Sequence, residues 1–220
     1  MVRVSGVPYD VDLPKQKVRI VSYTPQIEQT IAYLARVSNP ANQGNEEYEQ
    51  LIRYLIRHEH WSPFEMVSVT MEVNCTRDIG RQILRHRSFT FQEFSQRYAE
   101  SQDWELSECR LQDTKNRQNS LPCEDKGLAD QWQHMQEKIL SLATDVYKIA
   151  LEKGIAKELA RKLLPEGLTM SRMYMTGTLR SWIHYVMLRT KPDTQKEHRV
   201  IAQECKQKLE EICPTIMKSL

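Results

Sequence analysis

Apolar residues recur every three to four positions through most of the chain and alternate with polar ones in a few short stretches, so helices should outnumber strands. Val2 to Val21, punctuated by Pro8 and Pro14, reads as irregular chain feeding a strand over Val18 to Ser22. From Pro25 to Ser38, Ile27, Ile31, Leu34 and Ala35 mark an amphipathic helix, and after a polar stretch to Gly44 a second is expected over Glu46 to His58. Ser62, Pro63 and Glu65 carry the Ser-x-x-Glu capping signature, yet Val67, Val69, Met71 and Val73 then alternate with polar residues. That combination predicts one turn running into a half-buried strand. Thr76 can cap a third helix with Ile79, Ile83 and Leu84 inward, while Arg77, Arg81 and Arg85 recur every four residues as a basic ridge.

Ser88 to Tyr98 is a mixed aromatic and polar connection, and Ala99 to Asp125 has few apolar anchors, which predicts a flexible loop or insertion over 99–125. Leu128, Trp132, Met135, Ile139, Leu142, Val146 and Ile149 then step by four and three, a heptad stripe on the longest helix, ending near Gly154 as a cap. Such a stripe encodes packing, either into a core or against another subunit. A short helix over Ile155 to Leu163 stops before Pro165, and Leu168 to Thr176 alternates as a strand. Thr178 opens a helix with Leu179, Trp182, Ile183, Val186 and Met187 inward, Arg180 and His184 on another face, and Arg189 at its end. Gln195 to Ile212 forms the last helix, burying Ile201, Cys205, Leu209 and Ile212.

At 220 residues the chain should form one domain. The pattern specifies an α/β class: a single domain over 1–220, helix-rich around a small mixed or antiparallel sheet. Only 7 glycines occur, and none composes GxGxxG or GxxxxGK[ST], which excludes Rossmann and P-loop nucleotide sites. With 31 basic and 29 acidic side chains the net charge is +2, so no nucleic-acid or membrane partner is demanded. No apolar run is long enough to span a membrane and no signal region opens the chain, so a cytoplasmic protein is expected. Five cysteines without a CxxC pair fit reduced thiols, and no third ligand accompanies His58 and His60, so no metal is expected.

Candidate chemistry concentrates in Arg85, His86, Arg87, Glu93, Ser95 and Arg97, thirteen residues where a helix gives way to loop. Guanidinium forks and a serine hydroxyl suit a nucleotide phosphate; the alternative is a solvated helix end with Glu93 pairing one arginine. No general base stands at fixed spacing from Ser95, which favours binding over nucleophilic attack.

Arg85-His86-Arg87, seven residues and then Ser95 reproduce the Arg-His-Arg-x7-Ser signature of flavin-dependent thymidylate synthases. The chain resembles that family further in Arg36-Val37-Ser38, His60-x-Ser62-Pro63-Phe64-Glu65, Arg81-Gln82, Ala160-Arg161-x-x-Leu164-Pro165, Leu179-Arg180-Ser181 and Leu188-Arg189. Gln96 departs from the glycine that many members carry. The resemblance implies reductive methylation of dUMP to dTMP, with 5,10-methylenetetrahydrofolate as carbon donor and NADPH-reduced FAD as hydride source. It also implies a homotetramer with active sites at subunit interfaces. By resemblance, Ser62, Arg85, His86, Arg87, Glu93, Thr178, Leu179, Arg180 and His184 hold FAD, while Gln82, Arg85, Glu93, Ser95, Gln96, Arg97, Arg161 and Arg189 hold dUMP. Arg189 is the expected catalytic residue, a permanent cation beside the uracil. The competing reading is a nucleotide- or RNA-binding module that uses the Arg77, Arg81 and Arg85 ridge without catalysis.

Overall fold

The computed structural model describes residues 17–100 and 103–220. Most of the Val2 to Val21 lead-in, and two positions of the 99–125 stretch, lie outside the described residues. In chain order the elements are β1 (Val18–Tyr23), α1 (Ile27–Ala35), α2 (Glu49–Arg57), β2 (Ser68–Thr76), α3 (Arg77–Ile83), β3 (Phe89–Glu93), β4 (Arg110–Gln112), β5 (Ser120–Pro122), α4 (Lys126–Glu152), α5 (Lys157–Ala160), β6 (Met170–Thr178), α6 (Leu179–Arg189), α7 (Lys196–Ile212) and α8 (Pro214–Lys218). Single 3-10 turns occupy Pro40–Asn42, Ser62–Met66 and Arg161–Leu163. The main sheet runs β1-β2-β6-β3, with β1 and β2 antiparallel, and β4 and β5 form a separate antiparallel pair. The fold is therefore helix-rich around a small sheet, without Rossmann topology, as the pattern predicted.

The domain is organised as two compact units, one of residues 17–73, 84–92 and 173–220, the other of 74–83 and 93–172. In the first, Val69, Met71 and Val73 of β2 and Met173 and Met175 of β6 are fully buried. Alternation has placed every second side chain of both strands in the core. On α6, Leu179, Trp182, Ile183 and Val186 join them, and the Trp182 indole N–H donates to the Val69 carbonyl at 2.9 Å. Met187, expected on the same stripe, is instead 46% exposed. At Gly177 the absent side chain is a packing requirement, because a Cβ there would lie 2.5 Å from the Phe89 ring. The Phe89 ring in turn meets Trp182 edge-on at 4.8 Å.

In the other unit, α4 is the longest helix; the Asp125 carboxylate caps it, accepting from the Leu128 N–H at 3.1 Å. Gly154, just past its end, takes φ +76 as a left-handed cap. The buried face is not the heptad stripe. It consists of Gln136, Leu140, Ala143, Thr144, Tyr147 and Ala150, whereas Trp132, Met135, Ile139, Leu142 and Ile149 of the stripe are exposed. Tyr147 and Ala150 of this face pack against Ala160 and Leu164, and the apolar stripe is left outward. The 99–125 stretch contains the β4–β5 pair and is tied down at Ser107, whose backbone N–H donates to Gln136 at 2.8 Å. Trp104, buried in the same segment, bridges to Thr169.

Three elements escaped the sequence pattern or were misdrawn. β3 was read as connection, although Phe89, Phe91 and Glu93 do alternate inward. α8 opens on Pro214 and buries Ile216 and Met217. α3 ends at Ile83, so Arg85 lies beyond that helix and does not extend its ridge of Arg77 and Arg81.

Candidate functional site

In the unit of residues 74–83 and 93–172, the start of α3, the chain after β3, and the turn after α5 surround a cavity of about 360 Å3. Arg77, Arg81, Arg161 and Lys162 line it against a single carboxylate, Glu166. Glu93 and Glu166 offset Arg77 and Arg81, so Arg161 and Lys162 supply the excess positive charge, a field suited to a phosphate. Gln96 also lines the cavity, is 4% exposed, and its side-chain N–H group has no hydrogen-bond partner in the protein. A buried donor left without a partner costs roughly 1–3 kcal/mol, which a ligand acceptor would recover.

The other residues of this cluster are held in place. Glu93 accepts from the Ser171 hydroxyl at 2.9 Å and pairs with Arg77 at 3.4 Å. Arg97 pairs with Glu158 at 3.5 Å, and Arg161 donates to the Glu158 carbonyl at 3.3 Å. The Ser95 hydroxyl accepts from the Arg97 backbone N–H at 3.4 Å. Gln82 is half-buried near the end of α3, beside Arg81, which is ion-paired to Glu166. Of the residues expected to hold dUMP, Gln96 and Arg161 line this cavity, and Arg77 and Arg81, expected on an open ridge, line it too. The latter two are both engaged with carboxylates. An extended basic surface of the kind a polynucleotide requires is not formed by these arginines.

The unit of residues 17–73, 84–92 and 173–220 carries the remaining candidates on and beside α6. Thr178 caps the helix, its hydroxyl accepting from the Ser181 N–H at 3.3 Å. Leu179 is fully buried and its backbone N–H donates to the Val67 carbonyl at 2.9 Å. Arg180 is ion-paired with Glu65, and His184, one turn on, meets the Trp61 ring edge-on at 5.1 Å. The two side chains expected to share a face therefore both reach the segment from Trp61 to Glu65, which also carries exposed Ser62.

The Arg-His-Arg segment lies along the same helix, joined to it by the Ser181 hydroxyl donating to the Ser88 carbonyl at 3.3 Å. A second tie is the Arg189 Nε–H, which donates to His86 Nε2 at 2.9 Å. Arg85 and Arg87 are exposed on either side of half-buried His86. Burial and then the Arg189 charge push the His86 pKa down to about 4, so the ring is neutral at pH 7 and can accept that bond. The His86 ring stands edge-on to Tyr185 at 4.9 Å, and the Tyr185 hydroxyl lies 3.1 Å from His198 Nε2. His198 is fully buried and was missed in the sequence. Its spacing from Ile201 and Cys205 placed it on the inward stripe of the last helix, which was the available signal.

These residues fit a flavin dinucleotide held by side chains. Beside Thr178, Gly177 is filled by the Phe89 ring and offers no backbone cradle for phosphate. Arg85 and Arg87 are exposed and Arg180 is paired with Glu65, and guanidinium planes have the chemistry that suits a diphosphate.

Residues 19–215 match the family model described as thymidylate synthase complementing protein. A probable flavin-dependent thymidylate synthase from Paramecium bursaria Chlorella virus 1 is 49% identical over 195 residues, 88% of this chain and 90% of that protein. A flavin-dependent thymidylate synthase from Synechocystis sp. is 46% identical over 210 residues, 96% of this chain and 97% of that protein. Among solved structures, a UMP/dUMP methylase, PolB, from Streptomyces cacaoi superposes with a TM-score of 0.79 at 28% identity, covering 92% of this chain and 93% of that one. With the Arg-His-Arg segment docked on α6 and near-full-length matches at 46–49% identity, the chain belongs to the flavin-dependent thymidylate synthase family.

Proposed function

We propose that this enzyme converts dUMP to dTMP, taking its carbon from 5,10-methylenetetrahydrofolate and its reducing equivalents from NADPH through FAD. The observation that carries the reading is the cation-lined cavity with the buried, unpartnered Gln96 amide, which suits a mononucleotide phosphate and a hydrogen-bonding base or sugar. Arg161 and Arg97 supply charge to the phosphate, and Ser95, Gln82 and Gln96 supply neutral hydrogen bonds. Glu93, fixed by Ser171 and Arg77, is the acceptor for a hydroxyl or N–H of the nucleotide. Arg85, Arg87, Arg180, Ser62 and His184 hold the flavin, with Thr178 and Leu179 contributing from the start of α6. When bound, the flavin supplies the hydride; the protein binds, orients and polarises.

Arg189 carries the electrostatic step. Its Nε–H is committed to His86, which fixes the plane of the guanidinium and leaves the terminal N–H groups for a ligand's oxygens. A permanent cation beside uracil stabilises the anion left when N3 loses its proton, which raises electron density at C5 for attack on the folate-derived carbon. The family reading extends to a homotetramer with shared active sites, and the exposed heptad stripe of α4 supports self-association. No helix among the described residues is long and apolar enough to cross a membrane.

The test is dTMP formation by purified protein given dUMP, methylenetetrahydrofolate, NADPH and FAD, beside the Arg189→Ala variant. Removing one such charge is expected to lower the rate about 10²- to 10³-fold with the flavin absorbance band retained. No dTMP from the parent enzyme refutes the function, and an unchanged rate in the variant refutes the role of Arg189. UMP belongs in the same assay, because the structurally similar PolB is described as a UMP/dUMP methylase.

A further inference from the structure

Outside the site described above, two cysteines flank the β4–β5 pair. Its register sets Arg110 against Pro122, Leu111 against Leu121 and Gln112 against Ser120. Continued by one residue toward the chain ends, the same register sets Cys109 opposite Cys123. Directly opposed residues of an antiparallel pair have Cα atoms about 4.5–5.5 Å apart, inside the span of about 4.4–6.8 Å that a disulfide bridges. The two thiols are in hydrogen-bonding contact, and both are free and partly exposed. The Cys123 thiol also donates to the Asp125 carbonyl at 3.5 Å, at the cap of α4.

The remaining cysteines, Cys75, Cys205 and Cys213, are buried. Burial pushes the thiols of Cys205 and Cys213 far up, so they supply little thiolate at neutral pH. Accessible thiol chemistry is thereby concentrated in one pair whose 14-position separation in sequence conceals its adjacency.

We propose that Cys109 and Cys123 are a covalent modification site, a dithiol that low-molecular-weight disulfides such as oxidised glutathione convert to an intramolecular disulfide across the hairpin. Partial burial, the bond to Cys123 and neighbouring negative charge hold the Cys109 thiol above its ordinary pKa. The Cys123 thiolate displaces one glutathione thiolate, which takes up a proton, and forms a mixed disulfide. Cys109 then loses its proton and attacks the Cys123 sulfur, releasing the second glutathione. Two protein thiols are oxidised by two electrons, and one glutathione disulfide is reduced to two thiols. The product closes the loop from Arg110 to Pro122 and braces the chain leading into α4.

The experiment is incubation of the reduced full chain with oxidised glutathione, followed by intact mass and peptide mapping. The expected product is lighter by two hydrogens, carries one cross-linked peptide pair containing Cys109 and Cys123, and returns to the starting mass with dithiothreitol. Cys109→Ser should stop at a lasting glutathione adduct on Cys123. An unchanged mass, a lasting glutathione adduct on the wild-type protein, or a bond involving Cys75, Cys205 or Cys213 overturns the proposal. So does failure of Cys109→Ser to retain glutathione.

Discussion

His198 offers a direct test of how the Arg189 environment is held neutral. Its ring is fully buried on α7 and hydrogen-bonded to the Tyr185 hydroxyl at 3.1 Å. Burial, then the charge of Arg189, then His86, push its pKa from 6.5 down to about 4. Between those values the unfolded chain takes up a proton that the folded chain refuses. Stability is therefore complete above about pH 6.5 and is lost as pH falls toward about 4. The full gap amounts to roughly 3–4 kcal/mol at about 1.4 kcal/mol per pH unit, of which about 2–3 kcal/mol falls between pH 7.5 and 4.5. His198→Gln keeps an amide for Tyr185 but removes the titration. Urea unfolding of both proteins at fixed concentration, from pH 7.5 to 4.5, gives the comparison. Carboxylates common to both proteins cancel in the difference. The wild-type protein should lose about 2–3 kcal/mol more than the variant over that range. Parallel pH curves would refute the argument that a neutral, desolvated His198 underlies the cluster.

Gly177→Ala places a methyl 2.5 Å from the Phe89 ring, which is hemmed in by Trp182 and Tyr185, so it should destabilise by about 1–3 kcal/mol. Adding Phe89→Leu should recover part of that loss in thermal melts; strictly additive losses would show that the ring contact is not the cause. Gln96→Leu should leave the free protein at least as stable and weaken dUMP binding by about tenfold, read by calorimetry, because only the ligand satisfies the buried amide. Equal affinity in the two proteins would contradict that role. Met135→Glu with Leu142→Glu puts charge into the exposed stripe of α4 and should convert the proposed homotetramer to smaller species in sedimentation, whereas an unchanged mass would exclude that face as the contact.

The sequence by itself determined the local elements and the chemical inventory. Period-two alternation fixed β2 and β6, three-to-four spacing fixed α1, α6 and α7, and Gly154 and Thr178 marked helix ends through backbone groups within a few residues. Family membership was equally legible, because the Arg-His-Arg-x7-Ser spacing is linear in the chain. Placement of side chains across distant segments was not. Whether Arg77 and Arg81 form an open ridge or line a cavity depends on Glu93 and Glu166, which approach only through the fold. The heptad stripe of α4 announced packing without a direction, since burial is decided by which neighbours arrive, and here they meet the face of Leu140, Tyr147 and Ala150. The lowered pKa of His86 likewise comes from desolvation and from Arg189, which lies 103 positions away along the chain and 2.9 Å away in space. Periodicity and capping act within one or two turns, whereas desolvation, charge pairing and cavity shape exist only once distant segments are brought together.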